Sequence, residues 1–362
     1  MLNVERRKTR QIRVGSVLVG GGAPVSVQSM TNTDTRDTEA TLDQIRRLCA
    51  AGCEIVRVAV PDEDAVQSFA RIKAESPLPL IADIHFDWRL AVAAAKNGAD
   101  CLRINPGNIG GEKKVAEVVK AAADAGISLR VGVNAGSLEK GLLKTYGGPT
   151  AEAMVTSALS HLEFIRSLGF SDVKVSLKAS DVLRTIEAYR LFSEKSDTPL
   201  HVGITEAGGG LSGAAKSAVG IGVLLFSGIG DTIRVSLTGD PVNELRVAWQ
   251  ILRSLRLRQR GVEVISCPTC GRTEIGVEKL AESVEQALSH VVEPLTVAVM
   301  GCVVNGPGEA READFGIAGG RGQGIVFARG KVMEKVPEDQ LLDALLSHIR
   351  KHLAEPGGKG SL

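Results

Sequence analysis

Residues 55–84, IVRVAVPDEDAVQSFARIKAESPLPLIADI, contain the structural unit that much of the chain repeats. Ile55–Val60 is a short apolar run rich in β-branched residues, which is typical of a buried strand. Asp62–Ala74 then places apolar residues three and four positions apart, as an amphipathic helix does, and Leu80–Ile84 is a second apolar run. A strand, a helix and a strand in this order predict a parallel βαβ unit.

The same alternation extends from residue 25 to about residue 237, which predicts a (β/α)8 barrel of the TIM type. The predicted strands are Val25–Met30, Ile55–Val60, Leu80–Ile84, Cys101–Ile104, Ser128–Val133, Val173–Leu177, His201–Ile204 and Thr232–Leu237. The predicted helices are Thr38–Ala51, Asp62–Ala74, Arg89–Asn97, Glu112–Ala125, Thr150–Leu168, Ser180–Ser193, Gly213–Leu225 and Val242–Leu257. A doubly wound open sheet is the alternative, but no glycine-rich dinucleotide fingerprint follows the first predicted strand.

After residue 260 the pattern changes to that of a small α+β domain. A strand over Val262–Ile265, a helix over Val277–His290 and a strand over Leu295–Met300 are followed by three short strand-like segments and a last helix, Glu338–Leu353. We therefore predict two domains, an α/β barrel over residues 1–260 and an α+β domain over residues 261–362.

Composition narrows the class of function. The 43 basic and 42 acidic residues leave a net charge of only +1, and aromatic residues make up 3% of the chain, so nucleic acid is not an expected partner. No uninterrupted apolar segment reaches the length of about 18 residues that a membrane span needs, and no secretory signal pattern opens the chain. Six irregularly spaced cysteines do not suggest a disulfide scaffold. We expect a cytoplasmic, reducing environment.

Three cysteines predict a metal site in the second domain. Cys267 and Cys270 form a C-x-x-C after a predicted strand, and Cys302 follows the next strand. Thiolates select zinc or iron–sulfur clusters. A zinc ribbon would need a second C-x-x-C or a histidine partner, whereas three cysteines fit a four-iron cluster with one iron left to another ligand. Glu309 is the candidate for that ligand. A structural zinc site and a Cys267–Cys270 redox disulfide are alternatives, and Cys49, Cys53 and Cys101 are expected to be buried thiols.

Cationic residues recur in or after the predicted barrel strands, at Arg57, Arg103, Arg130, Lys178 and Arg234. Charges within a buried parallel sheet are costly unless they are paired. Because barrel active sites lie at the carboxyl ends of the strands, and arginine matches phosphate geometry, the set predicts a pocket for a highly charged anion such as a diphosphate. The alternative is an internal network with Asp83, Glu206 and Asp231, or charges that reach outward between helices. Glu206 is also a candidate proton donor or acceptor.

Five segments together resemble the 4-hydroxy-3-methylbut-2-en-1-yl diphosphate synthases of the non-mevalonate isoprenoid pathway, in their short two-domain bacterial form. They are SCPTCGR (266–272), GCVVNGPGE (301–309), LRINPGN (102–108), RVGVNAGS (130–137) and GITEAG (203–208). The resemblance implies an oxidoreductase that reductively opens 2-C-methyl-D-erythritol 2,4-cyclodiphosphate with a [4Fe-4S] cluster, flavodoxin or ferredoxin as electron donor, and a homodimer.

The resemblance also implies roles for individual residues. The implied cluster ligands are Cys267, Cys270, Cys302 and Glu309. The implied substrate contacts are Arg57, His85, Arg103, Asn105, Arg130, Asn134, Lys178, Arg234 and Ser236, and Glu206 matches an acidic residue that aids proton transfer. Two other functions stay open at this point: a zinc-stabilised barrel protein that binds a sugar phosphate, and a barrel aldolase or isomerase with Lys178 as Schiff-base lysine.

Overall fold

The computed structural model describes residues 4–270, 273, 275–302, 310–320 and 322–354. The chain divides into two compact units, Met1–Arg258 and Gln259–Leu362. Among the described residues, no helix combines the length and the apolar character that crossing a bilayer would require.

The first unit is a parallel barrel preceded by a hairpin. Its strands are β1 (Gln11–Val14), β2 (Val17–Gly20), β3 (Ser26–Met30), β4 (Ile55–Ala59), β5 (Leu80–Ile84), β6 (Cys101–Ile104), β7 (Ser128–Asn134), β8 (Val173–Lys178), β9 (His201–Val202) and β10 (Thr232–Ile233). The parallel sheet runs β8-β7-β6-β5-β4-β3-β10-β9, and a bridge between Val175 and Leu200 joins its two ends. The predicted eight-stranded barrel is confirmed.

Helices connect the strands on the outside. They are α1 (Thr38–Ala50), α2 (Glu63–Glu75), α3 (Trp88–Lys96), α4 (Pro106–Ile109), α5 (Glu112–Ala125), α6 (Lys140–Tyr146), α7 (Ala151–Ser167), α8 (Val182–Lys195), α9 (Gly210–Phe226) and α10 (Val242–Ser254), with a 3₁₀ turn at Ala135–Ser137. Asp62 and Asp181 cap α2 and α8 by accepting backbone N–H bonds, which explains why these helices begin there. The short helices α4 and α6 were not predicted, because four and seven residues show too little periodicity.

The hairpin β1–β2 was not predicted either. Its buried side chains Ile12, Val14 and Val19 pack against Ile55 and Cys101 at the amino ends of β4 and β6. Two four-residue strands carry too short an alternation to be recognised in sequence, and their place is set by this contact. The hairpin therefore covers apolar side chains at the amino-terminal end of the barrel.

The second unit has a mixed sheet. Its strands are β11 (Val262–Ser266), β12 (Leu295–Met300), β13 (Phe315–Gly320), β14 (Gln323–Ala328) and β15 (Lys331–Pro337), and its helices are α11 (Val277–Leu288) and α12 (Leu341–Ala354), the latter after a 3₁₀ turn at Glu338–Gln340. The first three strands are parallel, and β14 and β15 add antiparallel neighbours. Val284 and Leu345 of the two helices share one apolar cluster with Val299 of the sheet. The predicted α+β architecture is confirmed.

Candidate active site

The predicted cations lie on neighbouring barrel strands. Arg57 is on β4, Arg103 on β6, Arg130 on β7 and Lys178 at the end of β8, and all four side chains are buried. Arg234 follows β10 and is 17% exposed. Side chains at alternate positions of a parallel barrel point into its interior. TIM barrel interiors are usually filled by branched apolar residues, so this concentration of positive charge is an exceptional feature of the molecule.

Asp83, on β5, is the carboxylate around which three of these groups gather. Its oxygens lie 3.1 Å from Nη1 of Arg103, 3.5 Å from Nε of Arg57 and 3.6 Å from Nε2 of His85. Burial would raise the pKa of Asp83, but Arg57 and Arg103 outweigh that effect and hold it at about 2. Burial lowers the pKa of Arg57 to about 10, with Asp83 acting in the opposite direction. One carboxylate thus serves two buried guanidinium groups.

Arg234 has a separate partner that sequence reasoning missed. Glu244, on α10, accepts hydrogen bonds from Nη2 and Nε of Arg234 at 2.9 and 3.3 Å, and from the Ser29 hydroxyl at 3.1 Å. Glu244 is buried. A glutamate in an amphipathic helix ordinarily faces solvent, so no local signal marks it, and its position ten residues after Arg234 is the only hint.

Arg130 and Lys178 have no carboxylate partner among the described residues. Arg130 donates to the Ser176 hydroxyl from Nε and Nη2 at 3.1 and 2.9 Å, and its Nη1 has no hydrogen-bond partner. Burial and the neighbouring guanidinium groups lower the pKa values of Lys178 and Arg130 far below their usual range. Buried donors that lack acceptors are the condition that a bound oxyanion relieves.

Two glycines make space for these side chains. A Cβ on Gly132 would lie 2.8 Å from Nε of Arg103, and one on Gly203 would lie 2.8 Å from Nζ of Lys178. Any larger residue would push the cation away from its place, because real Cβ atoms do not approach so closely. The glycines therefore belong to the cationic pocket, although they contribute no polar group themselves.

The remaining predicted contacts lie near the carboxyl ends of the strands. Asn105 caps α4 through Oδ1, which accepts from the Gly107 N–H, and its Nδ2 donates to Ser137 Oγ at 2.6 Å. Ser137 in turn donates to the Asn134 carbonyl at 3.3 Å, so the loops after β6 and β7 are joined. His85 is exposed, and Asn134 and Ser236 are half-buried.

Glu206 stands apart from the cations. It is exposed, its φ of 52° lies in the left-handed region, and it makes no ion pair with a described residue. A non-glycine residue in this conformation is a strained position of the kind found at functional loops. Asp231 is also outside the cationic set, because its oxygens accept from Thr9 Oγ1 and the Leu200 N–H. Of the three acids considered as internal partners, only Asp83 pairs with the predicted cations.

Lys174 is a further cation that sequence reasoning left out. It lies on β8 opposite Arg130 and is completely buried, and its Nζ has no hydrogen-bond partner among the described residues. The strand stays regular to Lys178, so Lys174, Ser176 and Lys178 share the inward face. Period-two alternation was the signal that could have identified it.

In the second unit, the cysteines follow two adjacent strand ends. β11 and β12 are parallel with Ser266 opposite Val299, so Cys267 and Cys302 come after neighbouring strands. The Gly301 N–H donates to Cys267 Sγ at 3.2 Å, and a Cβ on Gly301 would lie 2.6 Å from Val277 Cγ2. An N–H directed at sulfur stabilises a thiolate, as in iron–sulfur sites. Cys270 is exposed, and its N–H donates to Thr273 Oγ1.

The described side chains alone do not form a closed metal site. No group of three or more His, Cys, Asp and Glu residues is close enough to hold a metal in the part of the chain that is described. Glu309, the predicted fourth ligand, lies outside the described residues. Among the other cysteines, Cys53 and Cys101 are buried as expected, whereas Cys49, in the last turn of α1, is only half-buried, so that expectation was wrong for this residue.

A parallel barrel with buried cations, followed by an α+β unit with cysteines beyond two strand ends, defines a two-domain protein of the TIM-barrel class. The GcpE TIM-barrel domain matches residues 9–249, and the GcpE protein C-terminal domain matches residues 263–351. The chain belongs to the GcpE family.

Curated relatives match over nearly the whole chain. The chain is 61% identical over 350 residues to the 4-hydroxy-3-methylbut-2-en-1-yl diphosphate synthase (flavodoxin) of Geobacter sulfurreducens, which covers 97% of this chain and 99% of that relative. It is 60% identical over 348 residues to the protein of the same name from Thermodesulfovibrio yellowstonii, covering 96% of this chain and 100% of the relative.

Solved structures share the barrel. N-acetylneuraminic acid synthetase from Leptospira borgpetersenii is similar with a TM-score of 0.52 and 13% identity, covering 78% of this chain and 99% of that chain. 3-Dehydroquinate dehydratase from Geobacillus kaustophilus has a TM-score of 0.50 and 14% identity, covering 68% and 98%. At such identities the similarity concerns the fold alone.

Proposed function

We propose that this chain is an oxidoreductase that converts 2-C-methyl-D-erythritol 2,4-cyclodiphosphate to 4-hydroxy-3-methylbut-2-en-1-yl diphosphate in isoprenoid precursor biosynthesis. Family membership and the names of the relatives support this reaction. The observation that carries it is the convergence of buried cations at one barrel interior, where Arg130 and Lys178 have no carboxylate partner among the described residues. A cyclic diphosphate supplies the negative charge that this pocket lacks.

In this proposal the barrel unit binds the diphosphate group. Buried guanidinium groups offer paired N–H donors that match phosphate oxygens, and they are less costly to bury than an ammonium group because they are more weakly hydrated. Asn105 and Asn134, which Ser137 connects, are positioned to hold the organic part of the substrate. The proposed contacts are Arg57, His85, Arg103, Asn105, Arg130, Asn134, Lys178, Arg234 and Ser236.

The second unit would hold a [4Fe-4S] cluster through Cys267, Cys270, Cys302 and Glu309. The N–H bond from Gly301 to Cys267 Sγ fits a thiolate ligand. When bound, such a cluster supplies low-potential electrons for reducing a carbon–oxygen bond, which no side chain can do. Three thiolates and a carboxylate form a set in which the harder oxygen ligand is the exchangeable one.

The proposed reaction balances with two electrons and one proton per substrate dianion. One carbon–oxygen bond to phosphate breaks and opens the ring, a hydroxyl leaves as water, and the added electron pair forms the carbon–carbon double bond. The departing hydroxyl needs a proton, and we assign that role to the carboxyl group of Glu206, whose loop follows β9 near the carboxyl ends of the strands.

The proposed partners follow from the family membership and from the names of the relatives. The relatives' names contain flavodoxin, and we propose a flavodoxin as electron donor, with ferredoxin as the other small carrier of the same kind. A cytoplasmic location suits a thiolate-bound cluster, because the reducing compartment keeps the cysteines available. We also propose a homodimer, which light scattering of the anaerobic protein would test.

The test of the function is turnover of the cyclic diphosphate by anaerobically purified protein with reduced flavodoxin. The wild type should form the linear diphosphate. Arg103→Ala should raise KM about tenfold or more through lost charge-assisted hydrogen bonds, with an unchanged visible spectrum. The matched control is Arg246→Ala on the exposed side of α10, which should keep the wild-type KM.

Absence of turnover by a wild-type protein that holds about four irons per chain would overturn the proposed reaction. An unchanged KM in Arg103→Ala would instead remove the cation from the substrate site. A colourless protein that holds zinc after anaerobic reconstitution would favour the alternative, a zinc-stabilised barrel protein that binds a sugar phosphate. The names of the relatives support reduction over that alternative.

A further inference from the structure

Lys174 occupies an unusual position for an amine. It is 0% exposed, and its Nζ has no hydrogen-bond partner in the part of the chain that is described. The strand registers place it at the end of a row of opposed residues, Asp83, Arg103, Arg130 and Lys174. Asp83 lies at the other end of this row and pairs with Arg103. Lys174 is therefore the cation of the row farthest from the carboxylate.

The groups that face Lys174 cannot neutralise an ammonium ion. The nearest titratable neighbours are the buried Cys101 thiol on β6 and the Arg130 guanidinium on β7. His201, on β9, is also buried, and burial together with Arg130 and Lys178 lowers its pKa well below the usual range, so it stays uncharged. The buried acids of the barrel, Asp83, Glu244 and Asp231, pair with arginines.

The barrel interior also contains neutral polar side chains whose buried atoms have no hydrogen-bond partner among the described residues. Both ring nitrogens of His201 and both side-chain polar atoms of Gln28 lack hydrogen-bond partners among the described residues, as do the hydroxyls of Ser26, Ser128 and Thr232. All of these groups are neutral. Unpaired buried polar atoms in a native interior are those that ordered water satisfies, and such water carries protons between groups. The compartment can thus solvate an amine weakly, but it cannot supply a counter-charge.

We propose that Lys174 is a proton-accepting residue of the anion site: its amine is partly uncharged in the free barrel at mildly alkaline pH and becomes fully protonated when the diphosphate group binds at the carboxyl end of the same strands. This inference rests on the proposed function. An unpaired ammonium among cations is strongly disfavoured, whereas an anion bound to Arg130 and Lys178 reverses the local potential. At mildly alkaline pH, the barrel then carries its full positive charge only while the anion is bound.

The direction of the pH dependence follows from this linkage. Burial lowers the pKa of Lys174 in the empty barrel to about 8, with the Cys101 thiol acting in the opposite direction and Arg130 lowering it further. Anion binding raises that pKa. The extra binding free energy is fully present below the free-state value and is lost as the pH rises above it. Anion affinity should therefore weaken between pH 7 and pH 9, by about tenfold more in the wild type than in a variant without the amine.

Isothermal titration of inorganic pyrophosphate into the anaerobic full-length holoenzyme tests this proposal. Titrations near pH 8 in Tris and in HEPES, whose ionisation enthalpies differ, give the number of protons taken up on binding. The wild type should take up about half a proton more per pyrophosphate than Lys174→Met, which has similar length and no titratable group. Because the lost amine has no partner, the variant should melt at or above the wild-type temperature. Lys174→Gln makes the same comparison if the methionine variant misfolds.

Equal proton numbers in the wild type and both variants would overturn the proposal. That result is distinct from failure of the proposed function, in which pyrophosphate would not bind to the wild type at all; the anion site and the role of Lys174 would then fall together. A merely structural role for Lys174 would change melting temperature and leave the proton difference at zero.

Discussion

Asp83 is a single carboxylate that two buried arginines and His85 approach from three sides. Its side chain is 1% exposed, so solvent does little to screen these interactions. In the proposed function, the diphosphate group is a ligand of the same cations for which Asp83 is the resident counter-charge. The carboxylate therefore allows Arg57 and Arg103 to stay folded in place before the substrate arrives.

At the level of this residue, we expect Asp83→Asn to lower the free energy of unfolding by about 3–5 kcal/mol, because two buried guanidinium groups lose their counter-charge. Pyrophosphate should restore part of that loss, since it supplies negative charge to the same groups. Urea denaturation with and without pyrophosphate measures both effects. The control Asp124→Asn, an exposed i,i+4 partner of Lys120, should behave like the wild type. Equal stability of Asp83→Asn and wild type without ligand would contradict this account.

The same residue contributes to acid stability. The pKa of Asp83 is about 2 in the folded chain, below the unfolded value of about 3.9. A carboxyl group whose pKa is depressed by folding stabilises the protein above the unfolded value, and that contribution disappears as the pH falls toward 2. Asp83→Asn should therefore flatten the stability profile between about pH 4 and pH 2.

At the scale of elements, the hairpin β1–β2 closes a barrel whose interior is otherwise polar. Ile12, Val14 and Val19 form an apolar layer with Ile55 and Ile81 at the amino ends of β4 and β5. Lys174 lies in one register row with Arg130 and Arg103, two residues nearer the carboxyl ends of the strands than this layer. Layers along one axis thus separate an apolar base from the site at the carboxyl ends.

We expect Ile12→Ala to destabilise the barrel unit by about 2–4 kcal/mol, because a 4% exposed side chain leaves a cavity in this apolar layer. The matched control is Leu18→Ala on the same hairpin, where the side chain is 39% exposed and the change should be near zero. Thermal unfolding followed by circular dichroism compares the two. If Ile12→Ala and Leu18→Ala lower the free energy of unfolding by the same amount, the burial of Ile12 in the hairpin does not stabilise the barrel unit.

For the molecule as a whole, the two units have separate apolar clusters, and the proposed chemistry divides between them. We expect Cys267→Ser to lose the broad visible absorbance and turnover while it binds pyrophosphate with nearly wild-type affinity. Arg103→Ala should show the converse, with the absorbance kept and binding weakened. Cys49→Ser, a half-buried thiol in the barrel, is the control for removing sulfur. A large loss of pyrophosphate affinity in Cys267→Ser would show that the second unit contributes to anion binding.

The local sequence pattern was sufficient to predict much of the fold of this protein. Apolar runs of four to six residues alternating with amphipathic helices predicted the eight-stranded barrel, because strand and helix periodicity is a property of neighbouring residues. The C-x-x-C and Cys302 likewise followed predicted strands, and the parallel pair β11–β12 brings those strand ends side by side. Alternation along β8 also contained the information that Lys174 faces inward.

Only the tertiary structure decided which charges meet. Asp83 serves Arg57 and Arg103 because β5 pairs with both β4 and β6, and Glu244 of α10 serves Arg234 beside Ser29 of β3. Among the described residues, Glu206 and Asp231, which the sequence offered as equal candidates, do not pair with these cations. Ion pairing depends on a few ångströms between residues that are distant in sequence, and burial determines what each pair costs. Residue order therefore specifies the barrel and its list of charges, whereas three-dimensional packing determines which cations are left without a partner and open to an anion.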